Sequence, residues 1–287
     1  MNRMKRILAL VLALALCALC FTACRKDKEP DPETTTVSNT VTVTFPEGIT
    51  VLEIAEKLEK KGVCSAESFE EVCKSVPEGY EDLLSDTSAD GRVFALEGYL
   101  FPDTYEFYKD EPAEDVVKRF LDNLTSKLTD DMYDQATAKG FLNMDQLLSF
   151  ASVIQAEASD PKEMPGVAGV FYNRLLDPAG YPYIGSDVTR QYIDTKMKDY
   201  IEEQGLPYDT LFGNYNTNDA YTNKTSGLPI GPVCNPGLAA IKAALDPEES
   251  DYYYFFTDPD WNYYYFTNLS DFQTAWYNLQ NTGSVKG

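Results

Sequence analysis

One glutamate stands at the shoulder of an apolar helical face. From a cap at Asn143 or Asp145 the chain runs to Ala158 with Leu147, Leu148, Ala151 and Ile154 at helical spacing. Leu147, Ala151, Ile154 and Ala158 share one side of the wheel. Glu157 falls near Phe150 and Val153 at its edge. A carboxyl in that place is partly desolvated, so its acid form is favoured and its pKa rises. Such a group donates a proton near neutral pH, which is what a glycosidic leaving oxygen requires. The same pattern also describes a boundary glutamate whose carboxylate reaches water. A hydrolytic glycosidase adds a second carboxylate, roughly 5–5.5 Å away if retaining and farther if inverting. Glu97, Asp103, Glu163 and Asp187 are the candidates, and their positions along the chain set none of the distances.

Composition narrows the alternatives. The 287 residues hold 46 acids, 24 bases and no histidine. A Ser-His-Asp triad, a Cys-His pair and an HExxH zinc helix are excluded. A net charge of −22 argues against nucleic acid, whose phosphates need clustered Lys and Arg. It also disfavours attachment to anionic lipid by basic residues alone. Aromatic residues make up 13%, twenty of them tyrosine, which suits a tyrosine-rich core or a surface that stacks on sugars. Outside the N-terminal apolar run no CxxC spacing suggests a metal, and no cofactor is expected.

The N-terminus reads as an export signal. Arg3, Lys5 and Arg6 precede an uncharged run from Ile7 to Ala23. Its end, Phe21-Thr22-Ala23-Cys24, resembles a lipoprotein lipobox, with phenylalanine where leucine is commoner. On that reading Cys24 is lipidated and residues 1–23 leave, taking three bases and no acids, so −22 becomes −25. The alternative is an uncleaved single transmembrane anchor; either way the remaining chain lies on the extracytoplasmic face of the cell membrane. Cys64, Cys73 and Cys234 then remain, an odd number that makes a poor disulfide framework. Cys64 and Cys73 could pair, although burial as small hydrophobes fits better.

Residues 24–40 are charged and rich in Pro and Thr, a flexible tether. A strand is expected over 41–45 (VTVTF). A helix capped by Thr50 should end near Gly62, and another should cover Ala66 to Ser75. Residues 93–107 are nearly all apolar around Glu97, Asp103 and Glu106. Pro112 to about Gly140 reads as one acidic amphipathic helix, followed by the Glu157 helix and another over Val167 to Leu175. A loop-rich stretch spans Asp177 to Gly237. A short helix over Leu238–Leu245, an aromatic hairpin of Tyr252–Phe256 with Tyr263–Phe266, and a helix from Ser270 to about Leu279 complete the chain.

Several motifs occur in order: EGYLFPDTY (97–105), ASVIQAEA (151–158), PGVAGVFYNRL (165–175), SDVTRQY (186–192) and GLPIGPVCNPGLAAIKAALDP (227–247). Together they resemble the endolytic murein transglycosylase family, the MltG or YceG-like proteins, over roughly residues 41 to 280. The resemblance implies an α+β fold. A small LysM-like subdomain with its connection (41–107) would precede a mixed α/β catalytic domain (108–287). It also implies an envelope enzyme cutting within nascent peptidoglycan strands. Its catalytic acid would match Glu157, with Gln155 replacing the first acid of the family's helix. Such an enzyme protonates the oxygen linking MurNAc to GlcNAc. The C6 hydroxyl of the same MurNAc then attacks C1, leaving a 1,6-anhydro end.

Other matched positions carry alternatives. Asn173 and Arg174 orient substrate or tie their helix to a loop, with the structural role favoured. Ser186-Asp187 opens a segment in which Val188 replaces the family's proline, leaving the loop less rigid. Gln191 can bond sugar hydroxyls or sit on a solvated helix face. Tyr215-Asn216-Thr217 matches the family's YNTY in letters, whereas Tyr221-Thr222-Asn223 matches better in spacing; the former is preferred. Gly227-Leu228-Pro229 could line the cleft or serve as scaffold. The hairpin tyrosines are assigned mainly to core, and Tyr264 takes the place of a family histidine. Implied partners are glycan strands, the membrane through the N-terminus, and the glycan polymerases of wall synthesis. The rival class is a non-catalytic glycan-binding lipoprotein. A solute-binding lipoprotein is a poorer fit, since its two α/β lobes need more βα alternation.

Overall fold

The computed structural model describes residues 39–81, 83–84, 91–218 and 227–283. The export signal, Cys24, nearly all of the tether and Tyr221–Asn223 lie outside the described residues. Among those described, no helix is long and apolar enough to cross a membrane.

Strand β1, Thr40–Thr44, pairs antiparallel with β2, Thr104–Tyr108, placing Val43 opposite Tyr105 and Val41 opposite Phe107. Strand β2 lies at the end of the apolar 93–107 stretch, and its alternation turns Tyr105 and Phe107 inward. Among the described residues two helices lie between the strands. Helix α1, Val51–Lys60, begins at Thr50 in a reciprocal capping box with Glu53 and buries Val51, Ile54, Ala55 and Leu58. Helix α2, Ala66–Cys73, is capped by Ser65 and ends slightly before the expected Ser75. The order is therefore strand, helix, helix, strand.

Helix α3, Ala113–Lys127, packs on this unit. Its Phe120 ring sits 5.0 Å from Phe45 and 4.5 Å from Tyr105, with Phe69 and Phe107 close by. The expected boundary between 107 and 108 thus falls inside a packed aromatic cluster. The single helix expected to run to Gly140 is two. Leu128 turns extended while staying buried, and Thr129 accepts a bond from Met132 N to start α4, Asp130–Ala138. A buried anchor followed by a good N-cap restarts the helix in a new direction.

Helix α5, Met144–Glu157, starts at Asn143, whose side chain accepts from Gln146 N. Leu147, Leu148, Phe150, Ala151, Val153 and Ile154 are all buried, so it is covered on nearly every side. It packs against α6, Met164–Leu176, and α10, Leu238–Leu245. Three short α-helices occupy the expected loop-rich stretch. These are α7 (Asp187–Gln191), α8 (Lys198–Glu203) and α9 (Tyr208–Tyr215), with a π-turn over Tyr192–Lys196 between the first two. They are held by Tyr192, Ile193, Met197, Ile201, Leu211 and Tyr215, which are buried but too scattered to show a period.

The hairpin forms as expected: β3, Tyr254–Thr257, pairs antiparallel with β4, Tyr263–Phe266. One face rests on α6, with Phe255 5.6 Å from Phe171. The other meets α11, Leu269–Thr282, through Phe256, Phe266 and Phe272. The described fold is α+β, with two two-stranded antiparallel sheets and a continuous apolar core running from Val43 to Leu245. Cys64, Cys73 and Cys234 are free thiols, the last two buried.

Candidate active site

Glu157 is the last residue of α5; Ala158 beyond it is extended, with φ −124° and ψ 113°. The carboxyl thus belongs to the negative end of a helix dipole, which disfavours its ionised form. Glu157 keeps some accessible surface, yet its carboxyl is closely surrounded by protein. Its pKa is raised, chiefly by burial. The Ser186 hydroxyl opposes the rise, Asp187 adds to it, and Arg174 counters it from the opposite charge.

Ser186 Oγ donates to Glu157 Oε1 at 2.5 Å. Ser186 precedes α7 as its N-cap, but its side chain makes no cap bond and reaches the glutamate instead. A left-handed turn at Gly185 (φ +67°) sets this direction. Thr217 then fixes the backbone: its carbonyl accepts from Gly185 N at 3.0 Å and its Oγ1 from Ser186 N at 3.2 Å. Thr189 Oγ1 donates to Ser186 O at 2.8 Å and lies 2.9 Å from Thr217 Oγ1. Ser186, Thr189 and Thr217 are all buried. A buried, fully bonded network holds a single geometry.

Arg174 and Asn173 do structural work. Arg174 Nε donates to Tyr253 O at 2.7 Å, and one terminal nitrogen donates to Ile184 O. Asn173 Nδ2 donates to Ser250 O at 2.7 Å and Tyr252 O at 2.9 Å. Helix α6 is thereby tied to the chain entering β3 and to the segment leading into Ser186. On the hairpin, Tyr263 Oη lies 3.4 Å from the Glu157 carbonyl. Tyr264 lies on the other face and donates to Asp258 Oδ2 at 3.0 Å, so it secures the turn.

Asp187, exposed, accepts from Asn218 Nδ2 at 2.7 Å and is the acid whose charge reaches Glu157. The other candidate carboxylates have hydrogen-bond partners of their own. Glu163 accepts from Tyr265 Oη at 3.3 Å, and Asp103 from Asn123 Nδ2 at 3.1 Å. Glu97 is buried and accepts from Val51 N, Asn235 Nδ2 and Tyr192 Oη. Burial pushes its pKa up to about 8, against the pull of those donors.

The remaining expected contacts divide. Gln191 is exposed and, with Gln155, Ala156, Val188 and Glu47, lines a groove of about 300 Å³ beside the end of α5. Gln155 Oε1 accepts from Gly237 N at 3.0 Å, so that position needs an acceptor rather than a charge. Val188 is the second residue of α7, so a helix orders this segment. Tyr215 is wholly buried with its ring 4.9 Å from Tyr192, and it corrects the expectation of a substrate contact: α9 turns it into the core. Asn216 is buried too, its Oδ1 accepting from Asn218 N at 3.0 Å. Of the three, Thr217 is the one seen to hold Ser186, through Ser186 N.

Gly227-Leu228-Pro229 is anchored by backbone and packing contacts. Gly227 (φ +87°) donates to Pro182 O at 3.2 Å, and a Cβ there would come within 2.9 Å of Leu175. Pro229 is buried and Leu228 half-buried. The next turn is gripped by Arg92, which donates to Ile230 O at 2.6 Å and pairs through two nitrogens with Asp145. Sequence reading singled out neither Thr189, Tyr263 nor Arg92. A buried hydroxyl or guanidinium carries no local signature. Among the described residues no three Cys, Asp or Glu side chains converge as a metal site.

A profile of the YceG-like family matches residues 28–277. A Bacillus subtilis protein named endolytic murein transglycosylase is 30% identical over 221 residues, covering 74% of this chain and 58% of its own length. A Streptococcus pneumoniae protein of the same name is 29% identical over 246 residues, covering 80% of this chain and 43% of its own. The chain thus spans about half the length of these relatives. A crystal structure of a YceG-like protein from Listeria monocytogenes superposes with a TM-score of 0.64 at 25% identity, covering 81% of this chain and 75% of that one.

Proposed function

The chain belongs to the YceG-like family, and from that premise we propose that it is a peptidoglycan lytic transglycosylase with Glu157 as its single acid–base group. The observation that carries this reading is the Ser186–Glu157 hydrogen bond on a carboxyl whose pKa burial raises. Because Ser186 donates to Oε1, the acidic proton rests on Oε2. From there it passes to the oxygen joining MurNAc to GlcNAc. As C1–O4 breaks, Glu157 becomes a carboxylate held by the Ser186 hydroxyl. That carboxylate takes the proton of the MurNAc C6 hydroxyl as O6 bonds to C1, closing the 1,6-anhydro ring. The nucleophile is already part of the substrate, so proximity replaces a water-activating second carboxylate.

The groove holding Gln191 is proposed to seat sugars beside the cut bond. The β1-α1-α2-β2 unit is proposed as a LysM-like docking element on the strand. Lipidation at Cys24, an extracytoplasmic location and cooperation with glycan polymerases complete the reading. The test is product mass after incubation with peptidoglycan: 1,6-anhydro ends are expected. Reducing MurNAc ends would make the protein a hydrolase, and binding without new ends would make it a non-catalytic glycan-binding protein.

A further inference from the structure

The chain has two tryptophans, and both line one groove that the reaction does not use. The groove lies between the hairpin turn and α11, with Pro259 and Leu279 as apolar walls and Asp258 and Gln280 as polar groups. Trp261 is 71% exposed and Trp276 40%. Large exposed aromatic rings gathered on one surface are uncommon unless they bind something.

Trp261 is also held in an unfavourable backbone conformation. Its φ is +64°, a region where a bulky side chain is a rare outlier and glycine is the usual occupant. The turn is built to keep it there. Asp258 Oδ1 accepts from Asp260 N and Asn262 N, each at 2.9 Å, and Trp261 N donates to Asp258 O at 3.0 Å. Tyr264 Oη donates to the same carboxylate from the strand. Trp276 is braced from below, edge-on to Phe256 at 5.3 Å. Strain kept at an exposed position points to function.

We infer that this groove is a second glycan-binding platform, on which the neutral N-acetylglucosamine rings of an amino-sugar strand stack against the two indoles. Rigid aromatics suit the flat apolar face of a sugar ring, while Gln280 can bond its hydroxyl and acetamido groups. The local charge agrees, because Asp258 and Asp260 repel phosphates and anionic headgroups but not neutral sugars. The platform lies on the face of the hairpin away from Tyr263 and Glu157. It would therefore hold the strand without touching the bond being cut. The choice of amino sugar rests on the glycan-strand reading of the reaction.

Because the only tryptophans flank this groove, intrinsic fluorescence reports it directly. The full chain carrying Glu157→Gln is titrated with an N-acetylglucosamine tetramer. A saturable blue shift is expected. Trp261→Gly, which keeps the left-handed turn and removes the indole, should bind about ten-fold more weakly, read through Trp276. The same variant should melt at or above the parent temperature, excluding misfolding as the cause. Emission unmoved by the tetramer, or unchanged affinity in Trp261→Gly, overturns the platform. A shift with phosphatidylcholine vesicles and none with the tetramer overturns it in favour of a membrane-facing surface. Product analysis stands apart: glycan cutting with no fluorescence change removes the platform alone, and tetramer binding without cutting removes the reaction alone.

Discussion

The Ser186 hydroxyl lies 2.5 Å from Glu157 Oε1, joining a helix start to a helix end across 29 residues of sequence. It stabilises the carboxylate, while burial and Asp187 work against it. Ser186→Ala should therefore raise the Glu157 pKa further and move the basic limb of the kcat profile to higher pH. A hydrogen bond to a charged group contributes about 1.5–3 kcal/mol, so kcat should fall roughly 10- to 100-fold. An unmoved basic limb, measured on soluble strands, would separate Ser186 from the titrating group.

Glu157→Gln removes the transferable proton and retains the shape. Activity should fall by at least about 100-fold, the usual contribution of a general acid. Stability should not fall. A carboxyl whose folded pKa is raised is destabilising once pH exceeds its unfolded value, so the neutral amide should melt at or above wild type near pH 7. Thermal denaturation beside an activity assay checks both; retained cleavage would discard Glu157 as the acid.

Thr217 positions Ser186. Thr217→Val keeps the volume but leaves the buried Ser186 N without its hydroxyl acceptor inside the protein. The expected loss is about 1–3 kcal/mol of stability, with kcat reduced and KM little changed. Thr217→Ser should restore both. If kcat stays level in the valine variant, the network serves the fold alone.

Glu97 gives the fold a pH dependence. Its folded pKa of about 8 exceeds the ordinary glutamate value of 4.5, so the native state holds the extra proton between them. Stability should decline as pH rises through this window, by up to about 1.4 kcal/mol per unit. In Glu97→Gln the melting temperature should be flatter over the same range, though lower at pH 5 where the native acid is protonated and well bonded. A wild-type profile that rises from pH 5 to 8 would reverse this assignment.

Arg92 and Asp145 form a pair whose side chains are 3% and 9% exposed, with Tyr99 Oη also donating to Asp145 at 2.8 Å. Removing one partner of such a buried pair strands the other charge. Arg92→Met should cost about 3–5 kcal/mol in denaturant unfolding. Arg92→Lys should recover only part, since an ammonium cannot reproduce the two-nitrogen grip or reach Ile230 O as well. Full recovery by lysine would mean that charge alone matters there.

The amino-acid sequence determined the elements whose causes are local. Thr50 and Glu53 start α1, Asn143 starts α5, and the Asp258–Asn262 turn makes the hairpin, each through groups a few residues apart. It placed Glu157 at the edge of an apolar face, because helical period converts spacing into direction. It did not distinguish Tyr215, sent into the core, from Thr217, two residues on, which holds Ser186. Nor did it show β2, whose partner lies some sixty residues earlier, or the helices on either side of Met197. Those outcomes depend on what a side chain meets after the chain has folded back. Glu97 and Glu157 are the same residue type near apolar neighbours. Tertiary structure surrounds one with donors from three distant segments and leaves the other one hydroxyl and an opening to solvent. That difference makes Glu97 a structural acid and leaves Glu157 able to give up its proton.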